Sequence, residues 1–195
     1  MRLRIARTGA SGYLLNMPEL PEVETVRRGL AEVMEGRRVE RVEVRRYDLR
    51  IPIPEDFIDR LQGRTLEKLG RRAKYLVGEF DDGTVLLAHL GMSGRMVIQT
   101  ADQADRGPGD FIHDPGRHSA HEHVVFHVGN GTVIRFSDPR RFGLMTLTDR
   151  AGLAEHKLLR HLGPEPIGPE FTGPVLAARL KGKNTPIKAA LLDQR

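Results

Sequence analysis

Six short stretches carry side chains whose types and spacing could do chemistry. Pro18-Glu19 sets a ring nitrogen beside a carboxylic acid. It is either an amine nucleophile with its proton donor, or the start of a helix. Lys74 closes the run Gly70-Arg71-Arg72-Ala73-Lys74, three cations in four residues, which either meets a phosphate or lies on a solvated strand face. His89-Leu90-Gly91-Met92-Ser93-Gly94 puts Met92 in a glycine-flanked turn, as a wedge between stacked rings or as a core filler. His121-Glu122-His123 has the alternation that puts two imidazoles on one strand face, a metal pair lacking a clear third ligand. Asp138-Pro139-Arg140-Arg141-Phe142-Gly143 gathers two guanidiniums and a ring in one turn. That mixture suits phosphate, base-edge and intercalating contacts, or else a structural turn with a packed Phe. Lys188 stands in the first turn of a helix, where it opposes the dipole and so favours an anionic ligand.

These groups need elements to carry them. Val23, Val26, Leu30 and Val33 recur at three- and four-residue steps and predict a helix from Pro18. Pro21 suits its first turn, Glu19, Glu22 and Glu24 favour its positive end, and Gly36 stops it. Short strands are predicted at Val39–Val44, Thr65–Leu69, Lys74–Phe80, Val85–Leu90 and Arg95–Gln99, then at His123–Val128, Thr132–Phe136 and Leu144–Leu147. Asp82-Gly83 and Asn130-Gly131 are hairpin turns between adjacent strands. Ala101–Ala120, rich in Gly, Pro, Asp and His, reads as a long exposed loop. After Asp149 the pattern turns helical, at Ala151–Leu162, at Val175–Lys181, and in a last helix capped by Thr185 with Pro186 at its first position.

The fold class is therefore α+β. An N-terminal helix precedes strands whose spacing suggests an antiparallel sandwich or barrel up to Asp149, and an incomplete helical domain begins near residue 150. Residues 1–16 carry three arginines and no acid; they read as a disordered leader or a mis-set start. Lys and Arg outnumber Asp and Glu by 31 to 26, which is compatible with a polyanionic partner. The chain has no cysteine, so it can build neither a disulfide nor a thiolate zinc site. No apolar run approaches the ~18 residues that span a bilayer.

MPELPEVETVRRGL, GRRAKYL, HLGMSG, HEHV, SDPRRFG, HLGPEP and TPIKAALLDQ occur here in one order. Together they resemble the formamidopyrimidine-DNA glycosylases, over residues 17–195. Leu20 stands where the endonuclease VIII branch usually has glycine, which favours the purine-directed branch. The resemblance implies a base-excision-repair enzyme that removes oxidised purines (8-oxoguanine, formamidopyrimidines) from double-stranded DNA and then cleaves the strand. It also implies an N-terminal helix beside a two-layered antiparallel β-sandwich over 17–149, and the start of a helix–two-turn–helix domain over 150–195. Pro18 would attack C1′ and displace the base, leaving a cationic imine that drives both eliminations. Glu19 would handle protons for the leaving group and sugar ring, with Glu22 in support. Lys74 would hold the phosphate near the lesion. Met92, Arg140 and Phe142 would fill the gap left by the extruded nucleotide, with Arg140 contacting the orphaned cytosine. His121 would touch the DNA backbone, and Lys188 would lie close to the lesion and its phosphate.

The resemblance further implies a monomer working in the bacterial cytoplasm at the nucleoid, away from membranes. No cofactor is expected of this chain, because the family's structural zinc needs C-terminal cysteines that it lacks. One feature opposes catalysis. Met17 acylates Pro18 in this sequence, and an amide nitrogen has its lone pair delocalised into the carbonyl. Written so, the chain is expected to be inactive. A non-catalytic DNA-binding remnant is therefore one alternative, and an endonuclease VIII-like glycosylase for oxidised pyrimidines is another. A metal hydrolase using His121 and His123 is the third.

Overall fold

The first element follows directly from the apolar spacing. A computed structural model describes residues 18–100, 103–106 and 121–192. In it α1 spans Leu20–Met34 and buries Val23, Leu30, Val33 and Met34, with Val26 packed against the same core. Pro21 lies in its first turn, where a missing N–H costs nothing. The helix ends where Gly36 takes φ +71° and donates its N–H to the Leu66 carbonyl at 2.8 Å.

Among the described residues nine strands follow: β1 Arg37–Val44, β2 Thr65–Arg72, β3 Tyr75–Phe80, β4 Thr84–His89, β5 Arg95–Thr100, β6 Gln103–Arg106, β7 Glu122–Val128, β8 Thr132–Ser137 and β9 Leu144–Asp149. They are ordered β6-β5-β8-β7-β1-β2-β3-β4-β9, each recorded pairing antiparallel. β1 joins two layers. Arg37 and Arg38 pair with β2, and from Val39 onward the strand pairs with β7, with a bulge between Val39 and Arg41. Leu66, Leu76, Phe80 and Leu86 from one layer meet Ile98, Phe126, Ile134 and Phe136 from the other in a single core. A short helix α2, Phe57–Leu61, seals it with two fully buried side chains, Phe57 and Leu61. Each such side chain contributes about 1.5–3 kcal/mol. The Asn130-Gly131 hairpin carries both residues at positive φ, 73° and 75°, as a type I′ turn requires.

Two expectations are corrected. β6 lies inside the stretch read as loop; its Gln-Ala-Asp-Arg sequence has no apolar alternation, which an edge strand does not need. The remainder of 101–120, like 1–16, lies outside the described residues. Ala151–Leu162 is a run of turns and not a helix. Its N–H groups at His156, Leu159 and Leu162 each reach back three residues, to Leu153, His156 and Leu159. That spacing lays Leu153, Leu158, Leu159 and Leu162 on the outer face of the sheet, against Val77, Val85 and Leu87. The later helices occur as expected. α3 is Gly173–Leu180, with the Thr172 hydroxyl accepting the Val175 N–H, and α4 is Ile187–Leu192.

Candidate active site

Strand register decides which turns meet. Tyr75 pairs with His89, and His89 with Leu144, so three connections emerge at one end of the sheet. These are the β2–β3 turn holding Lys74, the β4–β5 turn holding Met92, and the β8–β9 turn holding Arg140 and Phe142. The N-terminus of α1 comes to the same end, because Arg27 Nη1 donates to the Leu69 carbonyl at 3.1 Å.

At that terminus the Glu22 carboxylate accepts the Glu19 N–H at 3.0 Å, fixing the backbone just after Pro18. Glu19 Oε2 lies 2.5 Å from Lys74 Nζ, and the lysine is the more buried partner. Glu19 thus meets both Glu22 and Lys74, with Pro18 the residue before it.

The Lys74 turn is held by groups that the sequence reading did not single out. Ala73 takes φ +48°, an unfavourable region for a residue with a Cβ. Its N–H donates to Glu165 at 2.6 Å, and its carbonyl accepts from Arg71 Nη1 at 2.8 Å. Arg71 also pairs with Glu165 at 2.8 Å and with Glu24 at 3.1 Å, while Arg72 holds Glu165 at 2.8 Å. The Arg27 guanidinium, aided by Arg28 and Arg71 and opposed by burial, lowers the Glu24 carboxyl to about 2. Burial alone would raise Glu165, but the Ala73 N–H, Arg71 and Arg72 outweigh it and keep the carboxylate ionised. HLGPEP was visible as a motif, yet nothing in its spacing assigned Glu165 to a turn more than ninety residues earlier.

The other two turns are locked to each other. Asp138 is fully buried and its carboxylate accepts the Ser93 hydroxyl, the Arg140 N–H at 3.3 Å and the Gly143 N–H at 2.7 Å. Arg140 lies over the Phe142 ring at 4.7 Å, and Phe142 is 42% exposed. Arg141, at φ +57°, turns the other way and pairs with Asp48 at 2.7 Å. Met92 is partly buried on the facing turn.

His121 and His123 do not form a ligand pair. His121 stands in a single helical turn ahead of β7 and is exposed. His123 is buried, with Nε2 2.7 Å from the Asp138 carbonyl. The strand alternation that would align them begins only at Glu122. Among the described residues no three His, Cys, Asp or Glu side chains could share a metal, and the residues present do not fit a structural zinc. Lys188 is exposed on α4, a helix with no buried residue.

His89 was passed over in the sequence and belongs here. Its ring packs on Tyr75 with centroids 4.9 Å apart, and its Nδ1 accepts the Gly91 N–H at 2.9 Å. The proton of the neutral ring therefore sits on Nε2. Burial, then the charges of Arg50 and Lys74, push its pKa down from 6.5 to about 4. Unfolding takes up a proton between those values, so stability falls as pH drops through that window, by up to about 3 kcal/mol. Urea titrations from pH 7 to 4 should show this slope in the native chain and a flatter one in His89→Gln. Equal slopes would mean that the ring titrates normally.

The family model of the formamidopyrimidine-DNA glycosylase N-terminal domain matches residues 17–145. The chain belongs to this family. It is 55% identical over 183 residues to the formamidopyrimidine-DNA glycosylase of Brucella ovis, covering 92% of this chain and 62% of the relative. To that of Ruegeria pomeroyi it is 54% identical over 178 residues, covering 91% and 61%. The chain thus spans under two thirds of the length of these curated relatives. Among solved structures it resembles Lactococcus lactis formamidopyrimidine-DNA glycosylase bound to DNA with an abasic site, at TM-score 0.73 and 29% identity, over 91% of this chain and 63% of that one. A complex of the same enzyme with oxidised-pyrimidine DNA matches at TM-score 0.73 and 30% identity, over 91% and 61%. In this family member, no helix of the described residues is long and apolar enough to cross a membrane.

Proposed function

We propose that this chain is the N-terminal part of a DNA glycosylase and abasic-site lyase that removes oxidised purines in base-excision repair. The observation that carries the reading is the Lys74–Glu19 contact beside Pro18, at the same end of the sandwich as Met92, Arg140 and Phe142. A free Pro18 nitrogen would attack C1′, and the base would leave with a proton supplied through Glu19. The nitrogen lone pair would then expel the ring oxygen O4′, protonated through Glu19, to give the cationic imine, which would accept the electron pair released when a sugar proton departs, so that the flanking phosphates leave in turn. Lys74 would anchor a lesion phosphate, and His121 and Lys188 would contact the backbone. Met92, Arg140 and Phe142 would occupy the emptied stack, at a cost of a few kcal/mol for the unstacked step. Residues 150–195 would open a DNA-binding helical domain. The chain itself would bind no cofactor and act as a monomer on DNA in a bacterial cytoplasm.

One observation favours a second reading, that of a non-catalytic DNA-binding module: Met17 precedes Pro18 in this sequence. Binding and excision separate the two. Duplexes with 8-oxoguanine opposite cytosine, with thymine glycol, or undamaged would be titrated with a chain that starts at Pro18. Tighter binding and faster excision at 8-oxoguanine are expected. Faster excision of thymine glycol would move the substrate to oxidised pyrimidines. Equal binding to all three duplexes without excision would overturn the proposal.

A further inference from the structure

Asp138 is a fully buried carboxylate held by a hydroxyl and two backbone N–H groups. Such a group is costly unless neutral donors satisfy it. Its own backbone is pinned at the sheet end: the N–H donates to the His121 carbonyl at 3.0 Å, and the carbonyl contacts His123 Nε2 at 2.7 Å. Its Oδ2 takes the Gly143 N–H at 2.7 Å, from the far end of its own turn. Its Oδ1 takes the Arg140 N–H at 3.3 Å and the Ser93 hydroxyl. The Ser93 oxygen in turn accepts the same Arg140 N–H at 3.2 Å. Ser93 alone, among the described residues, supplies a donor to this carboxylate from the opposite turn. It directly follows Met92, while Arg140 and Phe142 flank Arg141 on the other side.

We infer that Ser93 and Asp138 are positioning residues, which lock the Met92 turn to the Arg140–Phe142 turn so that the three side chains enter DNA as one wedge. This rests on the DNA-repair reading above. Neither residue touches DNA in this scheme. Asp138 is wholly enclosed, and Ser93 spends its hydroxyl on Asp138 and Arg140. A purely structural role would lower stability alone; a positioning role uncouples wedge insertion from backbone binding, because phosphate contacts carry most of the affinity.

The test uses the whole chain and a duplex holding a tetrahydrofuran abasic analogue, with 2-aminopurine as the base opposite. The native chain should bind it more tightly than intact duplex and change the fluorescence on saturation. Ser93→Ala should keep its circular dichroism and bind within about threefold of the native Kd, since the phosphate contacts remain. The balance between inserted and withdrawn wedge should shift about fivefold toward withdrawn, the factor that one hydrogen bond is worth, and the saturating fluorescence change should shrink accordingly. Ser93→Thr, which keeps the hydroxyl, should restore it. An undiminished change in Ser93→Ala overturns the inference. So does equal loss in Ser93→Thr, or a Ser93→Ala chain that no longer folds. A native chain that does not distinguish abasic from intact duplex overturns the DNA-repair reading itself, and the inference falls with it.

Discussion

A chain that begins at Pro18 should form a borohydride-trapped covalent adduct with abasic-site DNA, and the same chain with Met17 retained should form none. The reason is electronic. With Met17 attached, the Pro18 nitrogen is an amide whose lone pair is shared with the carbonyl, so it is neither basic nor nucleophilic. Freed, it is a secondary amine, able to form the cationic imine that borohydride reduces. The comparison isolates that nitrogen. The Glu22 carboxylate still meets the Glu19 N–H, Lys74 still meets Glu19, and the wedge turns lie elsewhere. Binding to the abasic duplex, measured alongside, should survive in both chains. Trapping that persists with Met17 in place would assign the imine to another amine, and Lys74, 2.5 Å from Glu19, would be the first to replace. Binding without trapping in either chain would leave the non-catalytic module as the better reading.

Local chemistry was legible in the sequence, and long-range partnership was not. α1 could be read because its apolar spacing, Pro21 and Gly36 all act within a few residues. The hairpin at Asn130-Gly131 could be read because left-handed residues announce themselves. The 151–162 segment misled, because Leu158, Leu159 and Leu162 satisfy a helical pattern and a chain of turns equally well. Which one forms was decided by the sheet face that Leu159 had to cover. Met92, Arg140 and Phe142 were visible as unusual side chains in turns, and Lys74 as the last of a run of cations, though it was read into the strand that begins one residue later. What holds them was invisible: Glu165 reaches Ala73 across ninety-two residues, and Ser93 reaches Asp138 across forty-five. His89 was likewise hidden, because its low pKa comes from burial and from Arg50 and Lys74, groups distant in sequence. His121 and His123 failed as a pair because β7 starts one residue too late.

Gly91→Ala should be among the most damaging single-methyl changes in the chain. Gly91 sits at φ +65°, where a Cβ adds strain. That Cβ would stand 2.5 Å from both the Gly143 nitrogen and the Phe142 carbonyl carbon, and 2.6 Å from the Phe142 oxygen. All three are backbone atoms, so no rotamer change relieves the clash; the Met92 turn and the Phe142 turn must move apart. The left-handed conformation costs about 1–2 kcal/mol and the overpacking about 1–3 kcal/mol, giving a loss of roughly 2–5 kcal/mol in urea unfolding. Gly83→Ala is the matched control. Gly83 has φ +85° but nothing within 4 Å of its added Cβ, so only the conformational part, about 1–2 kcal/mol, should appear. The difference between the two measures how tightly the turns abut. Equal losses would mean that the turns are not in backbone contact. A larger loss at Gly91 would show that close contact between these two turns, together with the buried Asp138 carboxylate, is what keeps Met92, Arg140 and Phe142 at one end of the sandwich.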